Sequence, residues 1–194
     1  MNNLRSKTLC IFCGSFSGAE EEYTTQAKAL GERLGQDGVK LIFGGGTTGL
    51  MKEVADGFLA HAPKEWLTGV IPKTLMDREG IHEGIGECHI TENLLDRKML
   101  MIERADAVIA LPGGLGTFNE IFEVALLNQL KLTQIPISLF NILGYFDPLD
   151  ALFRATMERK FCDLQDLDGL IMDADPDRLL DKLNAMFDPQ TGSS

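Results

Sequence analysis

The stretch that decides the fold runs from Leu111 to Glu123 and reads L-P-G-G-L-G-T-F-N-E-I-F-E. Ahead of it, Asp106-Ala107-Val108-Ile109-Ala110 is a short apolar run of the kind that forms a buried parallel strand, and behind it lies an apolar segment long enough for a helix of about four turns. Strand, glycine turn and helix together make an anion site. Gly113, Gly114 and Gly116 are expected to give the backbone left-handed freedom and close approach, with Thr117 as the N-cap. The unpaired N–H groups of the first helical turn and the positive end of the helix dipole then favour a phosphate. Glu120 is the odd member. An acid one turn into such a helix repels a phosphate unless it has a chemical task, so the stretch suggests both binding and catalysis.

Outward from this stretch, strand-like and helix-like segments alternate. Strands are expected at Thr8 to Cys13, Val39 to Phe43, Trp66 to Ile71, Cys88 to Thr91, Asp106 to Leu111 and Ile135 to Phe140. Helices are expected at Glu20 to Leu34, Leu50 to His61, Leu94 to Arg104, Thr117 to Leu132, Asp147 to Lys160 and Asp175 to Phe187, with Pro148 and Pro176 suited to first helical turns. This alternation predicts an α/β, Rossmann-like doubly wound parallel sheet with helices on both faces, and such sheets take ligands at the carboxyl ends of their strands. The span 1–188 reads as one nucleotide-binding domain, followed by a polar tail, 189–194, expected to lack order. Pro72 to Gly80 begins the longest irregular region, a type of segment that tends to be functional. In the helix after the glycine turn, Ile121, Phe122, Val124, Ala125, Leu126, Leu127 and Leu130 leave almost no solvated face. That implies cover from a partner subunit, most simply a homodimer.

Charge and cysteine content exclude several classes. With 18 Lys+Arg against 29 Asp+Glu the net charge is −11 and no basic run exists, so neither nucleic acid nor an anionic membrane is an expected partner. A small phosphorylated ligand remains compatible, since backbone amides and one or two cations suffice for it. No signal-like N-terminus and no run long enough to span a bilayer is visible, which points to a cytoplasmic protein. Cys10, Cys13, Cys88 and Cys162 fit free thiols in a reducing compartment. Cys10 and Cys13 form a C-x-x-C, but at the end of an apolar strand, where packing is the better reading than redox or zinc chemistry.

Other motifs are weaker. Gly44, Gly46 and Gly49 match G-x-G-x-x-G between a strand and a helix, yet the acid expected about twenty residues on is replaced by Leu67-Thr68-Gly69-Val70-Ile71, which leaves a nicotinamide-dependent oxidoreductase as a minor alternative. Leu50 stands where a Walker A lysine would be, and Gly14-Ser15-Phe16-Ser17-Gly18 places its second serine one position late for a hydrolase elbow. His61, His82 and His89 lie on different elements, so no metal site is expected; Asp147, Asp150, Asp163, Asp166 and Asp168 read as caps and turns. Arg97 opens a helix at the same end of the sheet as the phosphate turn. Either a surface cation or a holder of phosphate or base fits it.

Pro112 to Glu120 as P-G-G-x-G-T-x-x-E, with Arg97-Lys98 ahead of it, resembles the signature of the LOG (LONELY GUY) family of cytokinin riboside 5′-monophosphate phosphoribohydrolases, formerly labelled lysine decarboxylases. The similarity extends to Phe12-Cys13-Gly14-Ser15, Gly44-Gly45-Gly46, Gly49-Leu50-Met51 and Gly69-Val70-Ile71-Pro72. The resemblance implies a Rossmann-like dimer or larger homo-oligomer, without metal or redox cofactor, that cleaves the N-glycosidic bond of a nucleoside 5′-monophosphate to free base and ribose 5-phosphate. It implies Arg97 and Glu120 as the catalytic pair. Glu79, Lys98, Gly113, Gly114, Leu115, Gly116, Thr117, Ser15, Gly45 and Gly46 would bind the substrate. Lys52, Leu94, Asn119, Leu126 and Leu127 depart from the family's usual residues at positions expected to line or support the pocket. The decarboxylase label lacks chemical support, because no lysine with pyridoxal-binding surroundings is recognisable. The alternative of another class is a protein that holds a nucleotide or other phosphorylated ligand without chemistry, which leaves the acid at Glu120 unexplained.

Overall fold

A computed structural model describes residues 2–163, 167 and 169–188. The expected caps at Asp166 and Asp168 and the tail 189–194 lie outside the described residues. The strands are β1 (Thr8–Phe12), β2 (Lys40–Phe43), β3 (Leu67–Pro72), β4 (Glu87–Thr91), β5 (Ala107–Ala110), β6 (Ile137–Phe140) and β7 (Leu170–Asp173). They form one sheet in the order β4-β3-β2-β1-β5-β6-β7, parallel throughout. The helices are α1 (Glu21–Asp37), α2 (Gly49–Leu59), α3 (Met76–Glu79), α4 (Leu94–Glu103), α5 (Leu115–Gln129), α6 (Asp147–Glu158) and α7 (Pro176–Met186).

The central strand shows why both faces are covered. In β1, Leu9 and Ile11 point into one apolar layer and Cys10 and Phe12 into the other, the two-residue period of a strand buried on both sides. The first layer is closed by α1, α2 and α7 through Leu30, Leu34, Val54, Phe58, Leu180 and Leu183. The second is closed by α4, α5 and α6 through Met101, Ile102, Ile121, Val124, Leu149 and Phe153. Where α1 crosses α2 the backbones nearly touch: a Cβ added at Gly57 would lie 2.2 Å from the Lys28 carbonyl, and one at Gly31 2.2 Å from that of Val54.

Strand order reverses between β1 and β5, so the loops leaving these two strands diverge and open a crevice at their carboxyl ends. The loops are tied together at its base, where the Gly14 N–H donates to the Pro112 carbonyl at 3.0 Å. Gly49 takes φ +55 and sits against Ser15, with only 2.4 Å between its missing Cβ and the Ser15 carbonyl carbon. That contact brings the start of α2 onto the same loop.

Four sequence expectations change. β7 was not expected; it is an edge strand of four half-buried residues. The region after Pro72 contains the short helix α3, which ends at Glu79. At the decisive stretch, α5 begins at Leu115 with Gly114 as its N-cap, so Thr117 lies inside the first turn and is buried rather than capping. None of Gly113, Gly114 and Gly116 is among the left-handed glycines of the described residues; lack of a side chain, not φ, is what the turn uses. Within the chain α5 buries only Thr117, Ile121 and Val124, and leaves Leu115, Phe122, Leu126 and Leu130 exposed.

Candidate active site

The crevice holds a cavity of about 490 Å3, walled by the β1–α1 loop, Met51 of α2, the α3 segment, the first turn of α4 and the start of α5. Its size suits a nucleotide-sized ligand. Gly114 and Gly116 have nothing within 4 Å of where a Cβ would stand, so the first-turn amides of α5, which lack acceptors inside the helix, are open to the cavity. Gly113 is placed differently. Its missing Cβ would meet Thr117 Oγ1 at 2.1 Å, its carbonyl accepts from the Tyr145 hydroxyl, and it lines a smaller apolar cavity of about 190 Å3 next door, with Tyr23 and Leu50.

Arg97 reaches the site because α4 starts where it does: the Asn93 side chain accepts from the Asp96 N–H at 2.9 Å, which caps the helix and sets Arg97 one turn in. The guanidinium is buried and lies over Gly44, where a Cβ would come within 2.0 Å of Nη2. Gly44 is thus required for passage of a side chain. Gly46 is packed under Met51 and Glu79, and Gly45, at φ +77, rests on Gly69; both are buried behind the cavity and do not line it. The G-x-G-x-x-G pattern therefore supports neighbours instead of cradling a pyrophosphate.

Charge in the cavity is balanced unevenly. Lys98 Nζ donates to Asn119 Oδ1 at 3.0 Å and to Glu123 Oε2 at 2.6 Å, so the buried ammonium is paired with a half-buried carboxylate. Glu79 is buried at the end of α3, its carbonyl accepting from both the N–H and the hydroxyl of Thr47, at 2.8 and 2.9 Å. Among the described residues its Oε2 has no hydrogen-bond partner, and neither has Arg97 Nε. Orphaned buried polar atoms are costly, and these two belong to side chains that line the same cavity. Glu120 is pushed up from 4.5 to about 7 by burial and by the negative charge of Glu79, against the opposing pull of Arg97 and Lys98. A carboxyl poised near neutrality is suited to proton transfer.

Ser15, Glu79, Lys98, Leu115, Gly116, Thr117 and the Arg97–Glu120 pair all meet at this cavity, together with Leu94 and Asn119. Lys52 instead pairs with Asp56 on α2, and Leu126 lies on the outer face of α5. Arg78 and Leu75 also line the cavity and were not anticipated. The signal was available in the Arg78-Glu79 adjacency, but a four-residue helix has no periodicity to reveal it. Cys10 is buried in the sheet, as strand packing predicts. Cys13 reaches the cavity wall, and burial raises both thiols, which leaves them poor nucleophiles. Among the described residues no group of His, Cys, Asp and Glu is arranged to hold a metal ion.

Fold and site together define a Rossmann-like α/β protein with a nucleotide-sized cavity at its switch point and a carboxyl–guanidinium pair inside it. The chain matches the family described as possible lysine decarboxylase over residues 51–183. It is 36% identical over 181 residues to a probable cytokinin riboside 5′-monophosphate phosphoribohydrolase of Oryza sativa subsp. japonica, covering 93% of this chain and 72% of that one. It is 43% identical over 145 residues to a cytokinin riboside 5′-monophosphate phosphoribohydrolase of Arabidopsis thaliana, covering 75% and 66%. The chain belongs to this LOG family. Among solved structures, the molybdenum cofactor binding protein of Rippkaea orientalis superposes with a TM-score of 0.68 at 16% identity, over 95% of this chain and 99% of that one. The carrier protein for the same cofactor from Chlamydomonas reinhardtii does so at 0.69 and 20% identity, over 94% and 98%. At such identities the likeness is one of fold.

Proposed function

We propose that the chain hydrolyses the N-glycosidic bond of a nucleoside 5′-monophosphate, a cytokinin riboside monophosphate or AMP, to the free base and ribose 5-phosphate. The observation that carries this reading is Glu120: a carboxyl held near neutrality beside a buried guanidinium, at the mouth of an open helix N-terminus. A phosphate binder without chemistry gains nothing from such an acid. In the proposed reaction the α5 amides and Thr117 hold the 5′-phosphate. Glu79, with its unpartnered Oε2, accepts from ribose hydroxyls. As the C1′–N bond breaks, its electron pair leaves with the base and positive charge grows on the ribose, where ionised Glu120 stabilises it, takes a proton from the water that bonds to C1′, and passes that proton on to the departing base nitrogen. Arg97 keeps Glu120 ionised more often than burial alone would allow, and its free Nε is available to the departing base.

The exposed leucines and Phe122 on α5 support a homodimer in which a second copy covers that face. The absence, among the described residues, of a helix long and apolar enough to cross a membrane, together with four free thiols, fits a cytoplasmic location. Incubation of the pure protein with AMP and with N6-isopentenyladenosine 5′-monophosphate, followed by measurement of released base, tests the reading. Release is expected from at least one of them. No release from any purine or pyrimidine monophosphate contradicts it.

A further inference from the structure

A phosphate dianion must enter a cavity that already contains two carboxyl groups, Glu79 and Glu120, in a protein of net charge −11. The α5 amides supply only partial charges, and the cavity's cations differ in what they have left to offer. Lys98 is committed to Glu123 at 2.6 Å. Arg97 is buried over Gly44 beside Glu120. Arg78, the third, lines the same cavity, is exposed, and has no salt bridge or hydrogen bond among the described residues. Its backbone is held firmly even so. Glu79, the next residue, is fastened to the glycine loop by two hydrogen bonds from Thr47, and Gly80, at φ +67, turns the chain away beneath Thr47. The result is an unpaired guanidinium, next to a tethered residue, lining a cavity that also holds Arg97 Nε and Glu79 Oε2, both without a partner among the described residues.

We propose that Arg78 is a specificity-determining residue that pairs with the 5′-phosphate of the substrate in the cavity it shares with the start of α5, so that the site selects phosphorylated over unphosphorylated nucleosides. This rests on the phosphoribohydrolase reading of the site. A guanidinium fork on a phosphate makes charge-assisted, often paired, hydrogen bonds that an ammonium cannot reproduce fully.

The test compares wild type with Arg78→Gln and Arg78→Lys, using AMP hydrolysis and calorimetric binding of ribose 5-phosphate and of adenine. For Arg78→Gln the account expects KM for AMP and Kd for ribose 5-phosphate to rise about 10- to 100-fold, with kcat changed far less and adenine binding unaltered. Arg78→Lys is expected to recover part of the loss. Unchanged affinity for ribose 5-phosphate, or a loss confined to adenine, overturns the proposal and makes Arg78 at most a contact to the base. Failure of the wild type to release base strikes at the catalytic reading instead; the ribose 5-phosphate titration still decides the role of Arg78.

Discussion

At the scale of single residues, the site rests on one carboxyl that the fold holds at a cost. Burial pushes Glu120 from 4.5 to about 7, so the folded chain binds this proton more tightly than the unfolded chain does. The contribution is therefore intact below pH 4.5 and is lost as pH rises towards 7, where ionisation inside the cavity destabilises the fold by about 3 kcal/mol. Glu120→Gln removes that cost. The variant should unfold in denaturant at a higher midpoint than wild type at pH 8 and at nearly the same one at pH 4.5; equal midpoints at both pH values would mean that the carboxyl is not strained. It should also retain nucleotide binding and lose about 10^2- to 10^4-fold in turnover. In the proposed reaction ionised Glu120 takes the proton, so kcat/KM should climb with pH through an inflection near 7. The phosphate of AMP ionises at about pH 6 and adds its own step. Lys98→Met separates the two, since Lys98 pulls Glu120 down: losing it moves the enzyme's inflection upward and leaves the substrate's in place.

At the scale of elements, the sheet was legible because buried parallel strands are short unbroken apolar runs. Residues 8–13, 39–43 and 106–111 have no other stable home. β7 was missed for the opposite reason: Leu170–Asp173 is a half-buried edge of four residues, with too few positions to show a period. The start of α5 was misplaced because a threonine is a better N-cap by type than a glycine, whereas the close packing of Thr117 on Gly113 decides the local geometry. Spacing and resemblance single out Arg97, Glu120 and the glycine turn, which the fold brings to one cavity, but the Lys98–Glu123 pair and the placement of Arg78 exist only in three dimensions. The glycines divide in the same way. Gly57 meets backbone of α1, so Gly57→Ala must push the two helices apart and should cost about 1–3 kcal/mol of stability without touching kcat per folded molecule. Gly44 meets the movable end of Arg97, so Gly44→Ala should keep most of the stability and lose activity. Indistinguishable behaviour of the two variants in thermal melts and assays would refute this division.

For the whole molecule, the proposed homodimer depends on the apolar face of α5. Leu126 is 48% exposed and Leu130 57%, side by side on one helix face that the chain itself leaves uncovered. A second copy related by a twofold axis would bury them symmetrically. Leu126→Glu places a charge in that contact and should shift the mass seen by light scattering from dimer towards monomer at micromolar concentration; an unaltered mass would remove α5 from the interface. Glu123, which pairs with Lys98, lies one turn before Leu126 on the same helix, so if the proposed dimer forms through this face its loss should also lower activity through looser support of the site.

The central claim is that this cavity breaks a glycosidic bond, and the most direct measurement is base release from AMP and from N6-isopentenyladenosine 5′-monophosphate by wild type and Glu120→Gln side by side. Wild type should give one equivalent each of base and ribose 5-phosphate, and the variant bound but uncleaved nucleotide. Equal release by both proteins would contradict it, as would tight binding by wild type with no base released from any nucleoside monophosphate.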